Sequence, residues 1–559
     1  MWYFTNAEQI AEVFTPLHII SCISISIVNA VLLFLISYKF LQVMQQSGYE
    51  GFGYFKWLRR RDNIYLNRLL TLTTLSLVSF LIFNIAFAFA DGAWIFYAGF
   101  VFYLLFLINY YLADKKRKKK IPIVYTSRMI RLMTAYYVFL FIFTFALLIL
   151  MNVIAFYCRE NSLFVRVRFA PVCFMPLLVP LFVLIAYYIT KPYELYNQKR
   201  YIKQCKEKLK NHKNLIKIGI TGSYGKTSVK RILCTLLEEK FKVLATPASY
   251  NTPMGICKAV KELKADHQVF IAEMGARRIG DIKALTQIVE PDFAIINGIV
   301  EQHLESFGSL KAVKQTKFEL VEHMKGGTVA YTVDNEHTLS MFDACKIKSI
   351  PTGITTENNP KVYAKNIQFS ESGTDFILNI FGNERRCHTK LLGKHSISNI
   401  CLAVAIAHEL GLTDSEICAG ISRLTAVEHR LSISKTASGI TIIDDSYNSN
   451  PRGFDAALEV LSFFEGRKIV VTPGMVELGV LEDMINYDLG KKLAKSCDFA
   501  VLVGRSGAYI IRSGMLESGF DMERVIQAST LDQAMKKLTP LLKSGDVVLF
   551  ENDLPDKFD

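Results

Sequence analysis

At 559 residues the chain is too long for one hydrophobic core and calls for at least three folding units. Its 51% hydrophobic content points to a membrane portion, and its net charge of +14 is unevenly spread. Residues 1–214 hold 25 Lys and Arg against 9 Asp and Glu, while the remainder is nearly balanced, so the basic excess gives no case for nucleic-acid binding. The 11 cysteines form no Cys-x-x-Cys pair and no Cys/His cluster at metal spacing, as expected of reduced thiols.

Five apolar stretches, near 17–38, 66–89, 92–112, 132–155 and 169–190, are long enough to cross a bilayer core, which takes about 20 residues. Basic clusters follow the first (Lys56, Arg59, Arg60, Arg61), the third (Lys115 to Lys120) and the fifth (Lys199 to Lys213). The intervening loops carry Asp91 or a few arginines (Arg159, Arg166, Arg168). Positive charge collects on the cytoplasmic side, which predicts an outside N-terminus and cytosolic residues after 191. The run "KKRKKK" is read as a topology signal touching anionic membrane lipids, and no span carries a central charge that would mark an ion path.

From about residue 215, short β-branched runs alternate with helical stretches, the pattern of a parallel α/β sheet. "LIKIGI", "QVFIAEMG", "FAIINGIV" and "GTVAYTV" read as buried strands, and the segments between about 345 and 390 as a small antiparallel insertion. A second α/β unit starts near 430, with strands at "GITIIDD", "RKIVVTPG", "FAVLVG" and "DVVLF". The predicted organisation is a membrane helical bundle over 1–196, a basic helical connector over 197–214, and two α/β domains over 215–428 and 429–559.

"GITGSYGKTS" (219–228) joins a strand to a helix through a Gly-rich turn. Backbone N–H groups and the helix dipole there would face a polyphosphate. Gly222, Ser223, Gly225 and Ser228 belong to the turn; Lys226 would reach the terminal phosphates and the Thr227 hydroxyl would ligate Mg²⁺. Ile220 stands where the common Gly-x-x-x-x-Gly-Lys loop has its first glycine.

This shorter loop resembles that of the Mur ligases, the ATP-dependent amide ligases of peptidoglycan synthesis. "EMGARRIGDI" (273–282), "EQHLESFGSLKAVKQTKFEL" (301–320), "LLGKHSISN" (391–399) and "IDDSYNSNPRGFDAAL" (443–458) follow in the family's order. "HLESFGS" and "SYNSNP" look most like the branch that adds D-alanyl-D-alanine to the muropeptide. The resemblance implies a central P-loop domain, a Rossmann-like C-terminal domain, and amide formation through an acyl phosphate. It implies ATP and two Mg²⁺ sites, with Mn²⁺ also acceptable: Thr227 at the first, Glu273 and His303 at the second. Lys317 matches a lysine that family members carry as a carbamate. Asn399, with His395 nearby, matches the adenine reader; Arg430 and Asp445 match residues that reach the phosphates and ribose. Tyr447, Asn448 and Asn450 match contacts to the incoming dipeptide.

The pattern departs in three places. A membrane bundle stands where the family has its UDP-binding domain. "TVDNE" puts Thr332 and Asn335 where other residues are usual, and Glu551 stands at the place of a lysine near the presumed substrate side. The expected function is a membrane-tethered ligase joining an amino acid or dipeptide to a lipid-linked or UDP-linked cell-envelope precursor. The alternatives are a capsule-type poly-amino-acid ligase, against which "DDSYNSNP" speaks, and an inactive scaffold, which would not need Lys226, Thr227, Glu273, His303, Lys317 and Asp445.

Overall fold

The computed structural model describes residues 16–59, 63–86, 94–115, 122–157, 167–248, 250–300, 304–370, 372–427, 429–447, 450–476, 478–504 and 506–552. Arg60, Arg61, Asp91, Lys116 to Lys120, Arg159, Arg166, His303, Asn448 and the end of the chain lie outside them. The chain divides into two compact units, one built on 1–197 and the other on 198–554.

The first unit holds α1 (Pro16–Ile36), α2 (Tyr38–Gln46), α3 (Gly51–Leu58), α4 (Ile64–Ala86), α5 (Trp94–Lys115) and α6 (Ser127–Tyr157); α7 (Met175–Asn211) begins in it. Among the described residues four helical segments, His18–Ile36, Ile64–Asn84, Ser127–Tyr157 and Ala170–Asn211, are long and apolar enough to cross a membrane. Of the remaining expected stretch, 92–112, the described residues are helical as α5, which is not among those four. Helix α7 runs through most of the 197–214 segment, which is helical as expected. Large side chains such as Phe40, Tyr54, Phe80, Tyr103, Tyr136 and Phe182 fill the bundle core.

The second unit contains two sheets. The larger has the order β2-β3-β1-β4-β5-β6-β7-β8-β9. Its strands β1 (Ile216–Thr221), β2 (Val243–Ala245), β3 (Val269–Glu273), β4 (Phe293–Ile296), β5 (Thr328–Thr332) and β6 (Lys348–Gly353) are parallel. The central strands β1, β3, β4 and β5 are largely buried on both faces, which is why they read as continuous apolar runs. The antiparallel segment predicted between 345 and 390 is present as β7 (Val362–Ser370), β8 (Gly373–Ile380) and β9 (Asn383–Thr389). It extends the same sheet, because β7 pairs in parallel with β6.

On one face of this sheet pack α8 (Lys226–Leu237), α12 (Lys394–Glu409) and α13 (Asp414–Ser422). On the other pack α9 (Pro253–Lys261), α10 (Asp281–Val289), α11 (Leu310–Glu322) and the end of α7. Thr332 and Asn335 have structural partners here: Thr332 Oγ1 lies 3.4 Å from Ser398 Oγ, and Asn335 caps the helix that starts at Glu336.

The smaller sheet has the order β10-β11-β15-β12-β13-β14. All four expected strands occur, as β11 (Thr441–Asp445), β12 (Lys468–Thr472), β13 (Phe499–Val503) and β15 (Val547–Glu551). Short edge strands β10 (Ser432–Lys435) and β14 (Val525–Ala528) add to them. Helix α14 (Pro451–Ser462) starts directly after the Asn-rich turn, with Asn450 as its cap.

Candidate functional site

Strands β1, β3 and β4 are neighbours, and their C-terminal ends carry the polar residues of the site. In an open parallel sheet this rim is where ligands bind, because crossovers leave a crevice at the strand ends. The turn after β1 closes onto the segment after β4: Ser223 N donates to Gly298 O at 2.9 Å, and Ser223 Oγ lies 3.2 Å from both the N and the O of Val300. Gly225 caps α8 in the left-handed region, with φ +69. A Cβ there would stand 2.3 Å from Asn297 Nδ2, so both the torsion and the close approach require glycine.

Lys226 begins α8 and donates from Nζ to Gly222 O at 2.7 Å and to Ser223 O at 3.2 Å. Burial pushes its pKa down to about 8, against an opposing pull from Glu273. The Thr227 hydroxyl donates to Glu273 Oε2 at 3.0 Å. Glu273 ends β3, opposite Ile220 in register, which explains how one turn of chain and a distant carboxylate meet. Thr227 and Glu273 thus form an oxygen pair suited to a hard divalent cation.

Lys317 lies on α11 and is buried, unlike an ordinary surface lysine. Desolvation first, then the nearby Lys226 charge, hold its pKa well below the usual range, while Asp281 and Glu319 oppose the shift. Glu319 itself accepts from Gly280 N and Lys283 N, tying α11 to the start of α10. His303 falls outside the described residues.

Beside the turn opens a cavity of about 440 Å³ lined by Gly225, Ser228, Asn399, Arg430, Asp445 and Asn450, among others. Both α/β portions contribute to it. Asn399 is buried and accepts from Asn297 Nδ2 at 2.7 Å, so the base of the cavity is fixed to the turn. His395 also lines it; burial lowers its pKa to about 4, leaving a neutral ring near neutral pH. Arg430 stacks its guanidinium 4.3 Å from the Tyr447 ring centroid. Asp445 Oδ1 accepts from Leu431 N at 3.2 Å, and burial raises its pKa to about 6.

Glu551 faces Asp445 in register and is fully buried, sharing a hydrogen bond with it. The reversed charge expected near the substrate side is therefore packed inside the sheet against a second carboxyl. Asn450 lines the cavity and accepts from Gly453 N at 3.0 Å as helix cap, Tyr447 is half exposed, and Asn448 falls outside the described residues.

Several site residues carried no signal in isolation. Asn297 follows β4 in an apolar run; Tyr224, Arg231, Lys394 and Arg452 line the cavity from three different segments. Lys230, one turn past Lys226, pairs with Glu273 at 2.9 Å. Its helical spacing from Lys226 was the one available clue.

Residues 220–407 match the Mur ligase middle domain, and 429–551 match the Mur ligase, glutamate ligase domain. The UDP-N-acetylmuramoyl-tripeptide–D-alanyl-D-alanine ligase of Mycobacterium leprae is 30% identical over 365 residues, covering 60% of this chain and 70% of that protein. The chain belongs to the Mur ligase family. It is an ATP-dependent C–N ligase of that family, whose members typically use Mg²⁺. The Bacillus subtilis ligase of the same name is 29% identical over 337 residues, covering 60% of this chain and 72% of the relative. Among solved structures, MurF from Thermotoga maritima in complex with ADP aligns with TM-score 0.58 and 27% identity over 64% of this chain and 80% of its own. MurF from Acinetobacter baumannii aligns with TM-score 0.59 and 26% identity over 65% of this chain and 78% of its own.

Proposed function

We propose that this Mur ligase is tethered to the cell membrane and joins an amino acid or dipeptide, such as D-alanyl-D-alanine, to a cell-envelope precursor. The observation that carries this reading is the meeting of Lys226, Thr227, Glu273 and the cavity containing Asn399, Arg430 and Asp445 at one sheet rim. The relatives are named for attaching that dipeptide to a UDP-linked tripeptide.

In this reading the turn Gly222 to Ser228 grips the ATP phosphates, Asn399 reads adenine, and Arg430 and Asp445 bind from the C-terminal domain. A precursor carboxylate attacks the γ-phosphorus and ADP leaves; the amine then attacks the acyl phosphate and phosphate leaves. Lys226 offsets the charge that builds between the separating phosphates. Two Mg²⁺, held by Thr227, Glu273, His303 and Lys317, would neutralise the same charge; Mn²⁺ would suit these ligands as well. The low pKa direction of Lys317 supports its carbamylation, because that reaction needs a neutral amine. Tyr447, Asn448 and Asn450 receive the incoming amine.

Domain limits at 196, 214 and 428 fit this division of labour, with residues after 191 in the cytosol and the N-terminus outside. Confining enzyme and acceptor to one membrane raises their effective concentration, so a lipid-linked acceptor can dispense with UDP contacts. The test uses detergent-solubilised full-length protein with one acceptor peptide in lipid-linked and UDP-linked forms, plus a panel of amines. Phosphate release is expected only when carboxylate and amine are both present, and faster with the lipid-linked form. Release independent of the amine would refute the ligase reading, and equal turnover of the two forms would refute the lipid-linked acceptor.

A further inference from the structure

Lys230 stands one helical turn beyond Lys226 on α8 and points at the same strand ends. Its ammonium donates to Glu273 Oε2 at 2.9 Å and to the Ala248 carbonyl. The two side chains retain 7% and 2% of their exposure, so this is a desolvated ion pair rather than a surface contact. The same Oε2 accepts from Thr227 Oγ1 at 3.0 Å, and Oε1 accepts from Asn251 Nδ2 at 3.2 Å.

The surrounding backbone is shaped to hold this arrangement. Ala248, which receives the ammonium, sits at φ +41, a region that a residue with a Cβ seldom occupies. Asn251 packs against Gly275 so closely that a Cβ there would lie 2.6 Å from its side chain. Helix α8, the end of β3, Ala248 and Asn251 are thereby joined around a single carboxylate.

A buried carboxylate must be balanced, and here the balancing cation is already part of the chain. A divalent ion on Oε2 would bind at about 2.1 Å from that oxygen, which the ammonium also contacts. The two cations would repel strongly in so dry a place. We propose that Lys230 is a resident counter-ion of Glu273. It balances the carboxylate in the nucleotide-free enzyme and excludes a free divalent ion, so that Mg²⁺ enters only with the phosphates that supply compensating charge. This inference rests on the reading of Glu273 as a metal ligand and makes Lys230 a positioning residue, not a catalytic one.

The test uses Mn²⁺ alone as the probe, with nucleotide-free full-length protein in detergent and the free-ion paramagnetic resonance signal as readout. Lys230→Met is expected to bind one Mn²⁺ at least about tenfold more tightly than wild type, while Lys230→Arg stays at the wild-type level. Lys230→Gln keeps hydrogen-bond donors without the charge and is expected to behave like Lys230→Met, which covers a folding failure of the latter. Lys230→Gln binding Mn²⁺ no more tightly than wild type overturns the proposal, as does retained binding when Glu273→Gln is added. Failure of the underlying reading looks different: Glu273→Gln alone would leave Mn²⁺–ADP binding unchanged.

Discussion

Within residues 16–197 a set of neutral buried side chains links three helices. Tyr103 OH donates to Asn29 Oδ1 at 2.7 Å, and Asn29 Nδ2 donates to Thr144 Oγ1 at 3.2 Å, linking α5, α1 and α6. In residues 198–552 the buried polar groups that matter most are ionisable, and they meet at strand ends: Lys226, Lys230, Glu273, Lys317 and Asp445. Neutral hydrogen bonds fix the packing of apolar helices without the desolvation cost of an ion. Charges held in a dry crevice are costly to keep and suit chemistry that moves phosphoryl groups. The contrast separates a unit built to hold together from one built to react.

The sharpest way to break this contrast is Lys226→Ala. ATP-dependent ligation is expected to fall by on the order of 10³-fold in kcat/KM, since the charge offsetting the phosphates is removed where they separate. Retained activity would deprive the strand-end charges of their assigned role. Lys317→Ala is expected to lose most activity, and added bicarbonate to restore part of it by supplying a small carboxylate. Intact-mass measurement of the native protein should carry the matching carbon dioxide adduct.

Asn29→Leu probes the other side of the comparison. It leaves the buried Tyr103 hydroxyl without its acceptor and is expected to cost about 1 kcal/mol of stability in detergent, with turnover per folded molecule unchanged. A loss of turnover without a loss of stability would show that the neutral network serves catalysis.

The smallest effect is in pH dependence. The Lys226 pKa of about 8 lies below its unfolded value, so the free enzyme loses that proton as pH rises through 8. Nucleotide binding favours the charged form and should take up a proton above that pH, visible by calorimetry in buffers of differing ionisation enthalpy. Asp445 has the opposite sense: its pKa is raised to about 6, so its contribution to stability is present below its unfolded pKa and is lost as pH rises through 6. Thermal unfolding across pH 4 to 7 should carry that slope, and Asp445→Asn should remove it.

The buried parallel strands were legible because an apolar run bounded by turn residues has few other readings. The Gly-rich turn between β1 and α8 was legible because its glycines, lysine and threonine are contiguous. Contacts set by register were not. Lys230 and Glu273 are 43 residues apart, and Asn297 and Asn399 are 102 apart, so only the strand order brings them together. Glu551 reads as a charge reversal in sequence, but its register with Asp445 buries it beside a second carboxyl. The edge strands β10 and β14 have four residues each, too short for a periodic pattern to stand out.

The central claim is that the charges at the sheet rim activate a carboxylate as an acyl phosphate for attack by an amine. An acceptor peptide labelled with ¹⁸O in its reacting carboxylate tests this directly, using full-length protein, ATP and the amine substrate. The account predicts that each amide formed transfers one labelled oxygen to the released phosphate. Amide formation that leaves the phosphate unlabelled would contradict it.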